Sequence, residues 1–496
     1  MFNAHEPPVL SGKVQPDAFQ AIWSKRDSRE LQNRRPSKCL WAGPALLLLL
    51  DLVVWTGCYL LFSKGPFGSA NQFGMNEIII PAAVLIFSLA LVGGYGHRTK
   101  LASLKYATEH IIACVISGAV ALIFVYLIAT FGGGTASSRM VFFLSMTAFM
   151  ILSLAHRRLL WFALRAYHPF HKLLVVGDAG TSAEFHRAYV ANEQEETLEF
   201  IATTEEIIGR HVDGPDSPVF LAGAQTLEDI LSAHPENSYE GIVIAAAGSQ
   251  LSPALLQLLT TVHFQDIPVY SVQAFYETYW KKMPVHLLTS TWPLQAGFHL
   301  VKHSIFATVK RMLDVVGSLS ALLLLSPVVL LIALAVKLDS KGPALFTQPR
   351  AGRCRRIFPL FKFRTMTVGS EKKGMYTEEN DPRVTRLGRI LRAFRLDELP
   401  QLFNVLRGDM SLIGPRAEWI KCVEEYERVI PYYHFRHLVR PGITGWAQVN
   451  YRYGAGIGDT VEKLMYDLYY IRNFSLILDA SVVLKTIYVV VFQKGR

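Results

Sequence analysis

Four apolar runs in the first third of the chain, at about 42–62, 77–96, 110–131 and 140–156, limit the possible folds more than any other feature. Each approaches the ~20 residues an α-helix needs to cross a bilayer core. In lipid every backbone polar group must be satisfied within its own segment, so runs of this length read as four transmembrane helices. Their flanks set the orientation. Lys25, Arg26, Arg29, Arg34, Arg35 and Lys38 precede the first run. Arg98, Lys100 and Lys105 lie between the second and third, and Arg157, Arg158 and Arg165 follow the fourth. The alternate loops, 63–76 and 132–139, carry only Lys64 and Arg139. Basic loops stay cytoplasmic, so both ends of the four-helix unit are expected there. Residues 1–38 read as a cytoplasmic tail and not a signal peptide, because they lack a short apolar core with a cleavage site. Asp51 falls inside the first run. An ionisable residue at that depth is a functional candidate by default, and a bundle-facing polar contact is the favoured reading.

The composition agrees with a membrane protein. Of 496 residues, 51% are hydrophobic, too many for an ordinary soluble chain. The net charge of +10 suits an anionic partner. No nucleic-acid-binding motif is visible, which leaves anionic lipid or a nucleotide. Five cysteines, at 39, 58, 114, 354 and 422, are scattered without a CxxC pair, which argues against a structural zinc site or a disulfide framework.

From Lys172 to about 300 the pattern changes to short β-rich runs alternating with helical segments. Leu173–Gly177, Phe200–Ala202, Val219–Leu221, Gly241–Ala245 and Pro268–Val272 read as strands of a parallel, Rossmann-like α/β domain. The turn Gly177-Asp178-Ala179-Gly180-Thr181-Ser182 keeps only the first glycine of GxGxxG, and Asp178 would repel a pyrophosphate. A structural, dimerising or regulatory module is therefore favoured over a nucleotide site.

A fifth apolar run, Val315 to Val336, has basic residues on both sides: Lys310 and Arg311 before it, Lys337, Lys341, Arg350, Arg353, Arg355 and Arg356 after it. Both flanks ask to be cytoplasmic. Ser326-Pro327 in its middle offers a way out, since proline breaks the helical ladder and permits a sharp turn. A re-entrant helix over 312–338 is expected, with a kinked full span as the alternative. Residues 303–311 are expected to form an entry helix on the membrane surface. Arg386, Arg389, Arg392 and Arg395 alternate with Leu387, Ile390, Leu391 and Phe394, a pattern suited to headgroups, and the tail 475–492 reads as interfacial.

The chemistry centres on Asp397-Glu398, set just before the helix signal Leu399-Pro400-Gln401-Leu402-Phe403-Asn404-Val405. Asp is a good helix cap, and a helix N-terminus favours phosphate. Between Arg350 and Arg395 there are thirteen Lys/Arg against four acids. Two carboxylates in so basic a neighbourhood read as a phosphate-handling site with a metal ion offsetting the accumulated negative charge.

Four ordered motifs carry a resemblance. They are Lys362-Phe363-Arg364-Thr365-Met366, Asp397-Glu398-Leu399-Pro400-Gln401, Gly408 to Arg416, and Pro441 to Asn450. Together they resemble the bacterial sugar transferase family, the polyprenyl-phosphate phosphoglycosyl transferases with one re-entrant membrane helix. The likeness is close from Lys310 to the C-terminus, and the whole chain is similar to the large members of the family. One departure is Ala417, where the family usually reads Pro-Arg-Pro.

The resemblance implies transfer of a sugar-1-phosphate from a UDP-sugar donor to undecaprenyl phosphate, with release of UMP. It implies Asp397 as nucleophile, Glu398 as a Mg²⁺ ligand beside Asp397, and Arg416 as a phosphate clamp, with Lys362 and Arg364 as second candidates for the same anion. Gln401, Asn404, Lys310 and Arg311 are further expected substrate contacts. Trp446 is left open between stacking on a base or sugar and core packing; Tyr466 to Tyr470 reads as a structural helix face. The expected organisation is a tail (1–38), four transmembrane helices (39–166), the Rossmann-like domain (170–302) and a mainly helical α/β catalytic domain (303–496). It is expected as a homodimer in a bacterial inner membrane, contacting lipid, with its catalytic domain on the cytoplasmic face.

Overall fold

A computed structural model describes residues 42–64, 75–96, 99, 101, 103–132, 139–167, 172–192, 197–233, 239–246, 251–264, 267–288, 292, 305–367, 369, 381–451, 454 and 456–491. The tail 1–38 and most of both short loops lie outside these residues, as does the linker 293–304.

The apolar runs form four helices: α1 (Ala42–Ser63), α2 (Met75–Leu91), α3 (Leu104–Gly132) and α4 (Arg139–Tyr167). Segments of α1, α3 and α4 are long and apolar enough to cross a membrane. The second run is shorter than its sequence suggests: α2 ends at Leu91, 17 residues long, where Val92–Tyr95 turn with Gly93 at φ +80°. Trp55, Tyr59, Leu85, Phe142 and Phe149 make the bundle core. Asp51 faces that core, as the favoured reading has it. Its two oxygens each receive an Arg157 nitrogen at 2.6 Å, and Tyr95 Oη donates to it at 2.6 Å. A buried charge is tolerable only with such paired partners.

The next part is a five-stranded parallel sheet of β1 (Lys172–Gly177), β2 (Thr197–Ala202), β3 (Phe220–Gly223), β4 (Tyr239–Ala245) and β5 (Val269–Ser271), in the order β3-β2-β1-β4-β5. The strands fall where the β-rich runs placed them. After β1 the chain enters α5 (Ala179–Ala191), and Asp178 caps it, accepting from Thr181 N at 2.8 Å and Thr181 Oγ1 at 3.1 Å. The helix end that could bind a phosphate is thus filled by the chain's own carboxylate.

The fifth apolar run lies in one helix, α9 (Ile305–Asp339; α6 to α8 are Leu227–Ala233, Pro253–Phe264 and Val272–Phe275). The separate entry helix expected at 303–311 is, over its described residues 305–311, the first turns of α9, and helical structure continues through Ser326-Pro327. At the expected break Pro327 has no N–H for Leu323 O, and Ser326 Oγ donates to that oxygen at 2.8 Å. Both ends of α9 rest on the same C-terminal domain. Lys310 Nζ meets Asp479 Oδ2 at 2.6 Å, and Asp314 Oδ1 accepts from Leu412 N at 2.9 Å. At the other end Val336 packs with Phe363 and Leu391. Leu323, Leu324, Leu330 and Leu331 between them are exposed.

The C-terminal domain begins with an antiparallel ribbon of β6 (Leu345–Ala351) and β7 (Ile357–Phe363). There follow α10 (Arg386–Ala393), a 3₁₀ turn Leu396–Glu398, α11 (Gln401–Arg407), β8 (Ser411–Ile413) and α12 (Ile420–Val429). The domain closes with β9 (Gly442–Thr444), α13 (Trp446–Asn450), α14 (Ile457–Arg472) and α15 (Leu476–Val491). One apolar core runs from the parallel-sheet domain into this one, joining Phe185, Phe275 and Trp280 to Tyr433, Trp446, Leu464 and Met465. Polar bonds seal the junction: Met283 N donates to Met465 O and Trp446 Nε1 to Lys281 O, both at 2.9 Å, and Arg472 meets Glu277 at 2.8 Å. Trp446, stacked on Tyr469, is therefore a core residue. The tail helix α15 packs on the bundle, where Ser481 Oγ donates to Leu91 O at 3.1 Å.

Candidate active site

The ribbon is stitched to α11 by Asn404, which is fully buried. Its Oδ1 accepts from Phe361 N at 3.0 Å and its Nδ2 donates to Pro359 O at 2.8 Å. These bonds fix Lys362, one residue along β7, against the turn that carries the carboxylates. Lys362 Nζ then donates to Glu398 Oε1 at 3.1 Å, and Arg416 donates to the same oxygen at 3.4 Å. Arg395 turns the chain into the 3₁₀ segment in the left-handed region, at φ +54°. Contrary to the capping expectation, Asp397 caps no helix: the residue before α11 is Pro400, with no side-chain cap. Both carboxylates are left for other work.

A shallow cleft opens here, lined by Arg350, Leu360, Lys362, Gln401, Met410, Arg416, Ala417 and Gly442. Its floor depends on glycine. A Cβ on Gly442 would lie 2.1 Å from Gly414 N, and one on Gly445 only 2.0 Å from Gly414 O, so neither can carry a side chain without moving backbone.

The two adjacent carboxylates are pushed apart in acidity. Burial raises Asp397 above the ordinary aspartate range, with Lys362 opposing and Glu398 adding to the rise. For Glu398 burial also works upward, but Lys362, Arg416 and Arg395 overcome it and hold the group down to about 2. Burial draws Lys362 downward, with Glu398 opposing. Among the described residues no side chain forms an ion pair with Asp397, whereas Glu398 has two. Separated acidities in neighbouring carboxylates allow separate roles.

Of the expected site residues, the fold brings together Asp397, Glu398, Lys362, Arg416 and Gln401. Four others it puts to structural use. Arg364 NH2 donates to Val336 O at 3.2 Å and Ser340 O at 2.7 Å, capping the end of α9. Arg311 does the same for α11 through Val405 O and Leu406 O, at 2.7 and 2.9 Å. Lys310 is spent on Asp479, and Asn404 on the ribbon. Orphan carbonyls at helix ends attract guanidinium groups, which is why a basic residue in a phosphate-handling chain need not face the phosphate. Arg350 went unrecognised in the sequence, yet it lines the cleft and donates to Ala417 O at 3.1 Å. Its signal is the ribbon register: Arg350 opposes Phe358 and Gln348 opposes Leu360, which puts Arg350, Leu360 and Lys362 on one face.

The sequence model of the family described as bacterial sugar transferase matches residues 305–493, the region that holds this site. The exopolysaccharide production protein PSS of Rhizobium leguminosarum is 45% identical over 188 residues, 36% of this chain and 93% of that protein. The chain belongs to the bacterial sugar transferase family. Two larger relatives are similar over part of their length. The UDP-N-acetylgalactosamine-undecaprenyl-phosphate N-acetylgalactosaminephosphotransferase of Aeromonas hydrophila is 42% identical over 250 residues, half of this chain and 58% of that protein. The undecaprenyl-phosphate glucose phosphotransferase of Komagataeibacter xylinus is 44% identical over 193 residues, covering 38% of this chain and 36% of that one. The chain thus matches from about a third to just over half of these larger relatives.

Proposed function

We propose that this chain is a phosphoglycosyl transferase that moves a sugar-1-phosphate from a UDP-sugar to undecaprenyl phosphate at the cytoplasmic face of a bacterial inner membrane. The observation that carries the reading is the Asp397-Glu398 pair, with Glu398 clamped by Lys362 and Arg416, two residues that line a basic cleft inside the family-matched region. Relatives named as undecaprenyl-phosphate sugar phosphotransferases support it.

In the first step an Asp397 carboxylate oxygen attacks the sugar-bearing phosphorus of the donor. The bond from that phosphorus to the bridging oxygen breaks, UMP leaves with that oxygen, and the sugar phosphate is held as an acyl phosphate. In the second step an oxygen of the polyprenyl phosphate attacks the same phosphorus, the acyl–oxygen bond to phosphorus breaks, and Asp397 is released as carboxylate. Arg416, on the cleft wall, offers a planar fork to the diphosphate oxygens, while Arg350 adds positive charge there with its terminal nitrogens held on Ala417 O and Gln348 Oε1. Lys362 keeps Glu398 ionised and in place.

The residues fit a magnesium ion. Mg²⁺ is commonly bound by one or two carboxylates together with substrate phosphates, and Asp397 and the second oxygen of Glu398 supply the carboxylates. Bound there, it would neutralise charge that gathers on the transferring phosphoryl group.

The same reading makes α9 re-entrant. Attachment of both its ends to one domain supports this, as does the Ser326 hydroxyl that compensates Pro327. It takes the parallel-sheet domain, 170–302, as Rossmann-like in strand order but not a nucleotide site, since Asp178 fills the phosphate position. Membranes containing the protein, given undecaprenyl phosphate and a panel of UDP-sugars, should release UMP with one of them. Release of UDP would instead mark a simple glycosyltransferase.

A further inference from the structure

Residues 415–418 carry the Arg416 clamp outside any regular helix or strand, yet four successive carbonyls in them are bonded. Pro415 O accepts from Gly442 N at 2.9 Å, Arg416 O from Arg436 NH2 at 3.1 Å, Ala417 O from Arg350 NH1 at 3.1 Å, and Glu418 O from Ala351 N at 3.1 Å. Backbone groups that no ladder satisfies need partners of this kind. Two of the four are arginines, and Arg436 is the one away from the cleft.

We propose that Arg436, anchored on Asp467, is a positioning residue for the Arg416 clamp. The inference rests on the transferase reading above. Arg436 is 5% exposed and lies between three elements. One of its terminal nitrogens donates to Arg416 O and forms an ion pair with Asp467 Oδ2 on α14 at 2.9 Å. The other donates to Tyr433 Oη at 2.6 Å and stands 4.0 Å from Glu418 Oε1. A single planar fork therefore ties the clamp backbone to α14 and to the Tyr433 turn. Arg416 itself reaches Glu398 on a long side chain that is 37% exposed. Its aim depends on where its backbone is held. Asp467, 1% exposed, keeps the buried guanidinium charged and in register.

The test uses the full chain, purified in detergent, with UMP release measured on whichever UDP-sugar the wild type accepts. Arg436→Lys keeps a charge for Asp467, but an ammonium cannot reproduce the planar fork. It should lower kcat by roughly 10- to 100-fold, with a smaller change in the donor KM, as expected for about an ångström of misplacement. Introduced into an Arg416→Lys background, the same change should cost less than about 3-fold more, because the two residues act through one group. Asp467→Asn should lower kcat in the same non-additive way, and it serves if Arg436→Lys does not fold. Tyr433→Phe, which removes a partner of Arg436 but no bond to residue 416, should stay within about 3-fold of wild type. Equal losses in both Arg416 backgrounds would overturn the proposal, as would wild-type kcat with only a lowered melting temperature. Wild type that turns over no UDP-sugar would sink the transferase reading itself, and this inference with it.

Discussion

Lys362 Nζ lies 3.1 Å from Glu398 Oε1, and that contact separates two carboxylates adjacent in sequence. Glu398 is fixed and ionised, with its pKa held down to about 2. Asp397, without a comparable partner among the described residues, is pushed upward by burial. A fixed anion suits a metal ligand, and a less solvated carboxylate suits a nucleophile.

Glu398→Gln keeps the shape and removes the charge. The half-saturating Mg²⁺ concentration for UMP release should rise by roughly tenfold, about the cost of one weakened charged contact. The folded-state pKa of Glu398 lies below its ordinary value of 4.5, so its stabilising share is present above that pH and is lost as pH falls toward 2. The variant should therefore also melt lower at pH 7, while its gap from wild type narrows in acid. An unchanged magnesium curve would remove Glu398 from the metal site.

Gly445→Ala tests the glycine floor. The added Cβ would sit 2.0 Å from Gly414 O, so the loop that carries the Gly442 wall must shift. UMP release should fall at least tenfold in protein that still elutes as a folded species, a loss set by misplacement of the clamp. Full activity would show that the loop moves freely.

The chain 303–496 expressed alone should still turn over, since the residues that match the family model, 305–493, lie within it. It should be less stable than the full chain. Removing the preceding domain uncovers Trp446, Leu464 and Met465 and breaks the bonds to Lys281 and Met283. A folded but inert product would mean that the parallel-sheet domain contributes to the site.

Single cysteines near residues 305 and 345, in a cysteine-free background, test the path of α9. In intact cells both should resist an impermeant maleimide and react once the membrane is opened. Labelling at 345 alone in intact cells would make α9 a plain span. Pro327→Leu should shift the protein toward that pattern, because it restores an unbroken apolar helix.

Much of this architecture was legible in the sequence for local reasons. Apolar run length gave the helices of the bundle, and β-rich runs gave all five parallel strands. The Asp397-Glu398 pair and Arg416 were visible as motifs. What escaped depends on contacts between distant segments. The Arg350 side chain enters the cleft only through the register of β6 on β7. Arg364, Arg311 and Lys310 look like phosphate ligands until the ends of α9 and α11 compete for the two arginines and Asp479 for the lysine. Asn404 sits in the motif with the carboxylates, but helical geometry points it at the ribbon. The α2 boundary moved because Gly93 and Gly94 end the helix inside an apolar run.

The central claim is that Asp397 carries the sugar phosphate, and intact-protein mass spectrometry tests it most directly. Incubated with its UDP-sugar and no lipid acceptor, the wild-type chain should gain the mass of one sugar phosphate, and added undecaprenyl phosphate should discharge it. Because burial holds Asp397 above its ordinary value of 3.8, adduct formation should fall off in acid at a pH above that value. Asp397→Asn should gain no mass at any pH. The same adduct on Asp397→Asn, or UMP release by that variant at the wild-type rate, would contradict the account.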